Sequence, residues 1–415
     1  MAAWDIYQQT FALSLASNAL GAKKAPLADL QNAIESAVPN WIRKGASQGL
    51  KGYEVVWGPT VWKHTLDGDA NTGPDNTWYI ANNKAAVFPD GTFNTYVIAI
   101  AGTASSFGWT DEDFQVGRVV DINQFAKNFS VYPSPDQSPN DAANSYIAFG
   151  TAIGVHTLLN TVAPATAKSP GTTIVSILSS IPSGSRVIFT GHSLGGALSP
   201  TAALVLQLSK GLSNVYTYPT AGATPGNLNF VKLFASKNPP STPGSKVWQA
   251  WNRNVYNTLD VVPQAWSIDK KTFPNQNLHH VPTMWGTLPS GLANALAGLI
   301  FVAVGMVNPS NIKYIPLPGQ TFTSTLPSIP QNFDEWKQVA HTEHVPAYMT
   351  ALGVNPDGFV AGKSALSVLP EKTLDELIVS YPFLELLGRF PVQIQQASQD
   401  LATGGAATEA DPVGR

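Results

Sequence analysis

The stretch Arg186-Val187-Ile188-Phe189-Thr190-Gly191-His192-Ser193-Leu194-Gly195-Gly196-Ala197 decides the fold. A run of β-branched and apolar residues ends in a serine set between glycines. A helix-forming run, Ala197 to Leu208, follows at once. Read locally, this is strand, sharp turn, helix. Gly191 and Gly195 stand where a side chain would collide with the tight backbone, and the turn leaves Ser193 Oγ projecting from the strand end, open to substrate. A bare Gly-x-Ser-x-Gly arises by chance. The strand before it and the helix after it are the context that makes Ser193 a candidate nucleophile instead of part of an ordinary glycine-rich turn.

Outward from the elbow, strands alternate with helices. Tyr96-Val-Ile-Ala-Ile-Ala101 is apolar on both faces and is predicted to lie centrally in a sheet. It belongs to a strand, Thr92 to Ala101, joined to the strand Trp78 to Phe88 through Pro89-Asp90-Gly91, a hairpin signal. Further strands are predicted at Tyr53 to Trp57, Val215 to Tyr218 and Val247 to Tyr256. Helices are predicted at Trp4 to Leu20, at Leu27 to Ala37 with Pro39 closing it, at Tyr146 to Asn160, and at Thr172 to Ile181. The alternation predicts an α/β class with a largely parallel central sheet. Ala104 to Ser145, with Pro133, Pro135 and Pro139, reads as a long functional or disordered loop. Asp67-Gly-Asp69-Ala-Asn71-Thr-Gly73-Pro-Asp75 imitates a calcium loop, but its glycine is out of place and Trp78 stands where a bidentate glutamate is needed. It reads as a polar turn.

No Pro/Gly/Ser-rich linker divides the chain, so residues 1–396 are expected to form a single elaborated domain, with an irregular, cap-like insert at about 264–340 and a flexible tail at 397–415. Within the insert, Ala295 to Val307 carries no polar side chain and is too short by itself to span a membrane. Three readings stay open for it: a buried core helix, an apolar cap or tunnel wall for a fatty chain, or an interfacial helix. The last lacks the usual Lys/Arg face. Leu374 to Leu387 is amphipathic, is kinked or split by Pro382, and is expected to pack back on the core.

Charged residues are only 12% of the chain and the net charge is −3, with no basic stripe, which argues against a nucleic-acid partner. The absence of cysteine excludes disulfides, a thiolate nucleophile and cysteine-based zinc sites. No cofactor or metal is expected. Few charges and many aromatics fit an extracellular or surface-working enzyme, so a secreted location is expected, with a cytoplasmic one as the alternative. Met1 to Leu20 does not read as a signal peptide, which leaves another export route or a leader already removed.

A serine hydroxyl needs a base to take its proton and a third group to orient that base. On an elbow of this kind the partners follow in the order serine, acid, histidine. Of seven histidines, His64, His156 and His192 precede the acid and are out of order, and His192 is expected to point away from the site. Asp260, just past the strand ending at Tyr256, is the candidate acid; Asp269 sits in a solvated Ile-Asp-Lys-Lys turn. His344 is the preferred base, because Pro346 suits the first turn of a helix running through Tyr348 and Leu352, which would leave His344 in the loop before it. His341 is the next candidate, and His279-His280 the last. The oxyanion that forms on attack needs preorganised donors. The backbone N–H of Leu194 is one, and the strand end at Gly102-Thr103 is the only good source of a second.

Taken in order, these motifs resemble the class 3 lipases, the fungal-lipase-like branch of the α/β-hydrolases. Ile100-Ala101-Gly102-Thr103 is similar to that family's oxyanion strand, and Trp109-Thr-Asp-Glu-Asp113-Phe114 to the Trp…Asp-Leu/Phe that follows it. Phe149-Gly150 loosely matches a His-x-Gly-Phe helix start. Gly191-His-Ser-Leu-Gly-Gly-Ala197 matches the elbow letter for letter. Thr217-Tyr218 with Gly222 to Asn227 resembles the next motif with residues inserted, and Asn257 to Pro263 matches the acid motif Asn-x-x-Asp-x-Val-Pro. The resemblance spans Tyr96 to Pro263, with His344 beyond it. It implies an α/β-hydrolase fold, a Ser193–Asp260–His344 triad, oxyanion donors at Thr103 and Leu194, and a lid within Ala104 to Ser145 that opens at an oil–water or membrane interface. The implied activity is lipid-ester hydrolysis, most simply of triacylglycerols, with phospholipase A1 chemistry or a silent lipid-binding scaffold as alternatives. Ala101 departs from the family's oxyanion-strand arginine, and Pro200 is expected to bend the elbow helix.

Overall fold

The computed structural model describes residues 3–21, 23–65, 67–102, 115–326 and 328–354. Two helices, α1 (Ile6–Ser17) and α2 (Leu27–Lys44), precede three antiparallel strands, β1 (Tyr53–Trp62), β2 (Asn76–Phe88) and β3 (Gly91–Ile100). A small ladder follows, β4 (Val119–Asp121), α3 (Ile122–Lys127) and β5 (Tyr146–Ala148), and then α4 (Phe149–Asn160) and α5 (Ile174–Leu178). The second half runs β6 (Arg186–His192), α6 (Leu194–Lys210), β7 (Val215–Thr220), α7 (Leu228–Lys237), β8 (Asn254–Asn257), α8 (Ser290–Val307), β9 (Gly319–Phe322), α9 (Phe333–His344) and α10 (Pro346–Leu352).

The main sheet has the order β1-β2-β3-β6-β7-β8-β9, and every pairing from β3 onward is parallel. The predicted central strand is central because both of its faces are covered. Val97 and Ala99 pack in a core cluster with Phe11, Ile34 and Tyr348, while Ile98 and Ile100 pack in a second with Phe189, Leu198 and Leu204. The alternation of period two sends neighbouring side chains to opposite layers. A third cluster, with Val261, Trp285, Leu296 and Trp336, lies beneath the insert.

Several predicted boundaries move. Pro39 does not close α2, whose apolar face continues through Val38 to Ile42 while Pro39 itself is exposed, so burial on the far side outweighs one lost hydrogen bond. α6 likewise continues through Pro200 and begins at Leu194, three residues before the predicted start. Residues 247–253 are loop rather than strand: Trp248 and Trp251 fill the first core cluster without needing a ladder, and only Asn254–Asn257 pairs. Residues 115–145 are not a featureless loop, since Val119, Val120 and Ile122 are buried in β4 and α3, and 146–148, predicted as helix, completes that ladder. The segment predicted as an insert also contributes β9, the edge strand of the main sheet. The segment at 104–114, the Leu374 to Leu387 helix and the 397–415 tail lie outside the described residues.

Candidate active site

The elbow has the geometry that its glycines require. Ser193 sits at φ 61° and ψ −124°, a region that L-residues rarely occupy. A Cβ on Gly195 would lie 2.4 Å from the carbonyl oxygen of Ile100, and one on Gly191 would lie 2.3 Å from that of Gly195. Only glycine admits this approach of α6 to β3 and β6. Gly102, just past β3, is also tightly placed: a Cβ there would meet the His192 carbonyl at 2.9 Å and Ser193 Cβ at 3.1 Å. The chain leaving the oxyanion strand is therefore packed directly on the serine. Thr103 itself lies outside the described residues. Leu194 opens α6, where the first N–H groups have no intrahelical acceptor.

Asp260 follows β8 by three residues and is fully buried. Its Oδ1 accepts from the Val262 N–H at 3.0 Å, while its Oδ2 accepts from His344 Nδ1 at 2.9 Å and from the Tyr348 hydroxyl at 2.7 Å. Asp260 and His344, 84 residues apart in sequence, are thus brought together. His341 lies almost one helical turn earlier on α9, and His279-His280 lie in a short 3₁₀ turn of the insert. His344 is not in the predicted loop: it is the last residue of α9, with Pro346 opening α10 as expected. The same α9–α10 corner supplies both partners of Asp260 Oδ2, so one junction fixes the carboxylate and the imidazole together.

Three residues that sequence reasoning missed hold this arrangement. His192, expected to point away, turns into the core and stacks near His344, with ring centroids 4.7 Å apart. Its Nε2 lies 2.7 Å from the His344 carbonyl, an acceptor only, so Nε2 carries the proton and Nδ1 accepts from Thr220 Oγ1 at 2.9 Å. Burial, reinforced by the neighbouring His344, pushes the His192 pKa well below the ordinary 6.5, and the ring is held neutral. Tyr348, buried beside Asp260, has its pKa raised well above 10, chiefly by burial, and so stays a donor to the carboxylate. Asn18, at the end of α1, accepts from the Gly102 N–H at 2.9 Å and so braces the chain as it leaves β3. His192 had a signal in its place next to Ser193; Tyr348 and Asn18 had none.

Among the described residues, no group of three or more His, Cys, Asp or Glu side chains is arranged to hold a metal ion. The polar turn at Asp69 is closed by its own chain: the carboxylate accepts from Asn71 N–H and Thr72 Oγ1.

A mostly parallel sheet with an elbow serine at one strand end and a buried Asp–His pair beyond a later strand defines the α/β-hydrolase class of fold. Residues 97–270 match the model of the family described as lipase (class 3). The crystal structure of M37 lipase superimposes with a TM-score of 0.62 at 22% identity, covering 89% of this chain and 99% of that one. The Rhizomucor miehei triacylglyceride lipase and the lipase from Rhizopus microsporus var. chinensis align more distantly, with TM-scores of 0.35 and 0.33, identities of 18% and 15%, and coverage of 63% and 62% of this chain and 74% and 69% of theirs. No curated protein matches the chain. The match over these residues supports a carboxylic-ester hydrolase of lipid esters.

Proposed function

We propose that the chain is a serine-dependent lipid-ester hydrolase whose preferred substrate is a triacylglycerol. The observation that carries the serine-hydrolase chemistry is the 2.9 Å bond from His344 Nδ1 to Asp260, on a histidine whose ring and carbonyl rest against the residue preceding an elbow serine. The triacylglycerol preference rests on the family match alone. Nδ1–H donation to a carboxylate leaves Nε2 as the basic nitrogen. Ser193 Oγ attacks the ester carbonyl while its proton passes to His344, and Asp260 stabilises the imidazolium. Negative charge on the former carbonyl oxygen is met by the backbone N–H groups of Leu194 and Thr103. Collapse expels the alcohol, which takes the proton from His344. Water, deprotonated by the same imidazole, then attacks the acyl-enzyme and releases the fatty acid. An extracellular place of work, favoured by the low charged fraction, belongs to the same proposal.

The test compares wild type, Ser193→Ala, His344→Ala and His341→Ala on p-nitrophenyl esters of graded chain length, emulsified triacylglycerol and phosphatidylcholine. Ser193→Ala and His344→Ala are expected to lose about 10³-fold or more in kcat, while His341→Ala retains most of it. Full activity in Ser193→Ala would overturn the proposal, and a preference for phosphatidylcholine would reassign the substrate to phospholipids.

A further inference from the structure

Glu343, the residue before His344 on α9, is a buried carboxylate that the proposed chemistry does not use. It is 1% exposed, and its Oε2 accepts from Asn257 Nδ2 at 2.6 Å and from the Ser324 hydroxyl. Both donors are neutral, an amide and an alcohol, so no cation offsets the charge at that oxygen. Taking a carboxylate out of water is costly, and an apolar side chain of similar size fills such a space at least as well. Packing alone therefore gives no reason for a glutamate here.

Its bonds run to the end of the sheet. Asn257 is the last residue of β8, and Ser324 lies two residues beyond β9, where the two strands pair Asn257 with Phe322. The Asn257 backbone N–H donates to the Tyr348 hydroxyl at 3.0 Å, and that hydroxyl donates to Asp260. Asn257 Oδ1 accepts from the N–H groups of Leu259 and Ser324, each at 3.2 Å, and so holds the turn that leads to Asp260. Asn257 Nδ2 reaches α9 twice, at the Glu343 carboxylate and, at 3.1 Å, at the Glu343 carbonyl. The last carbonyls of a helix have no partner within it. At the end of α9, β8 takes the Glu343 carbonyl through Asn257, and β6 takes the His344 carbonyl through His192. The Glu343 carboxylate adds a third fixed point, on Ser324 beside β9. Three such points fix both the position and the rotation of the turn that carries the imidazole.

We propose that Glu343 is a positioning residue: its carboxylate seats the last turn of α9 on the ends of β8 and β9 and so sets the direction of the His344 imidazole between Asp260 and the elbow. This rests on the serine-hydrolase reading above. Glu343 acts through the backbone it shares with His344, by the oxygen that it offers and not by its charge.

Glu343→Gln and Glu343→Leu, made in the full-length protein, separate this role from packing. The glutamine variant keeps an oxygen for both donors and is expected to retain most of kcat. In the leucine variant the space stays filled, and Asn257 Nδ2 keeps the backbone carbonyl of residue 343 and Ser324 Oγ as acceptors. Its Tm is expected to stay close to that of wild type, while kcat on a soluble p-nitrophenyl ester falls about tenfold or more with KM little changed. In the Ser193→Ala background, the downfield proton resonance of His344 Nδ1–H, assigned by its loss in His344→Gln, persists with glutamine and broadens or disappears with leucine. Should the leucine variant not fold, Ser324→Ala takes one donor from the carboxylate at a half-buried position and is expected to move kcat and the resonance in the same direction by a smaller amount. Wild-type kcat with an unchanged resonance, a loss in the glutamine variant equal to that in the leucine variant, or a fall in kcat that follows Tm while the resonance stays intact would each overturn the proposal. A wild type that hydrolyses no ester, with the resonance still altered by leucine, would overturn the enzymatic reading and leave the positioning role standing.

Discussion

His192 and Tyr348 illustrate how much of the candidate site resides in buried side chains bonded behind it. Because burial depresses the His192 pKa below 6.5, the unfolded chain binds a proton that the folded chain refuses. Stability from this group is complete above pH 6.5 and declines as pH falls from there towards the folded value. His192→Gln, which keeps a neutral polar group, is expected to flatten the fall in Tm between about pH 6.5 and 5, and to lower kcat more than KM by loosening His344. An unchanged acid slope would remove His192 from this role. Tyr348→Phe takes one of three donors from a buried carboxylate. It is expected to cost about 1.5–3 kcal/mol in denaturant unfolding, with a roughly tenfold lower kcat; no change in either would show that the hydroxyl is dispensable.

At the scale of elements, the elbow tolerates no added atom. Gly195→Ala places a methyl against the Ile100 carbonyl, backbone on backbone, and is expected to lose about 3 kcal/mol or more together with activity. Pro39→Ala works in the other direction. It restores a donor on an exposed position inside α2 and is expected to gain about 1–2 kcal/mol by urea unfolding, the helix gain being offset in part by a freer unfolded chain. Both cases bear on what the chain discloses before it folds. β6, its turn and α6 are legible because the apolar run Val187 to Phe189, the glycine spacing and the helix formers after Ala197 point the same way, Pro200 apart. Asp260 stands out in the sequence because it follows a strand end, and His344 because Pro346 announces a helix, although His344 ends α9 instead of lying in a loop. The strand at 247–253 was misread because Trp248 and Trp251 look like ladder residues while being anchored individually in the core. Tyr348, Asn18 and β9 were not legible, since their partners are brought close only by the assembled sheet.

Across the whole molecule, Gly102 after β3, Ser193 after β6 and Asp260 after β8 all lie beyond the carboxyl ends of parallel strands, where open α/β sheets place their ligands. The sequence between acid and histidine is long because it must add β9 to the sheet, build the third core cluster and still deliver α9 with His344 at its end. The central claim is that Ser193 is the acylated nucleophile. Diethyl p-nitrophenyl phosphate, followed by intact mass and peptide mapping of the full chain, tests it directly. The account requires one diethylphosphoryl adduct, on Ser193, formed in step with loss of esterase activity and absent from Ser193→Ala. An adduct on another residue, or full inactivation with Ser193 unmodified, would contradict it.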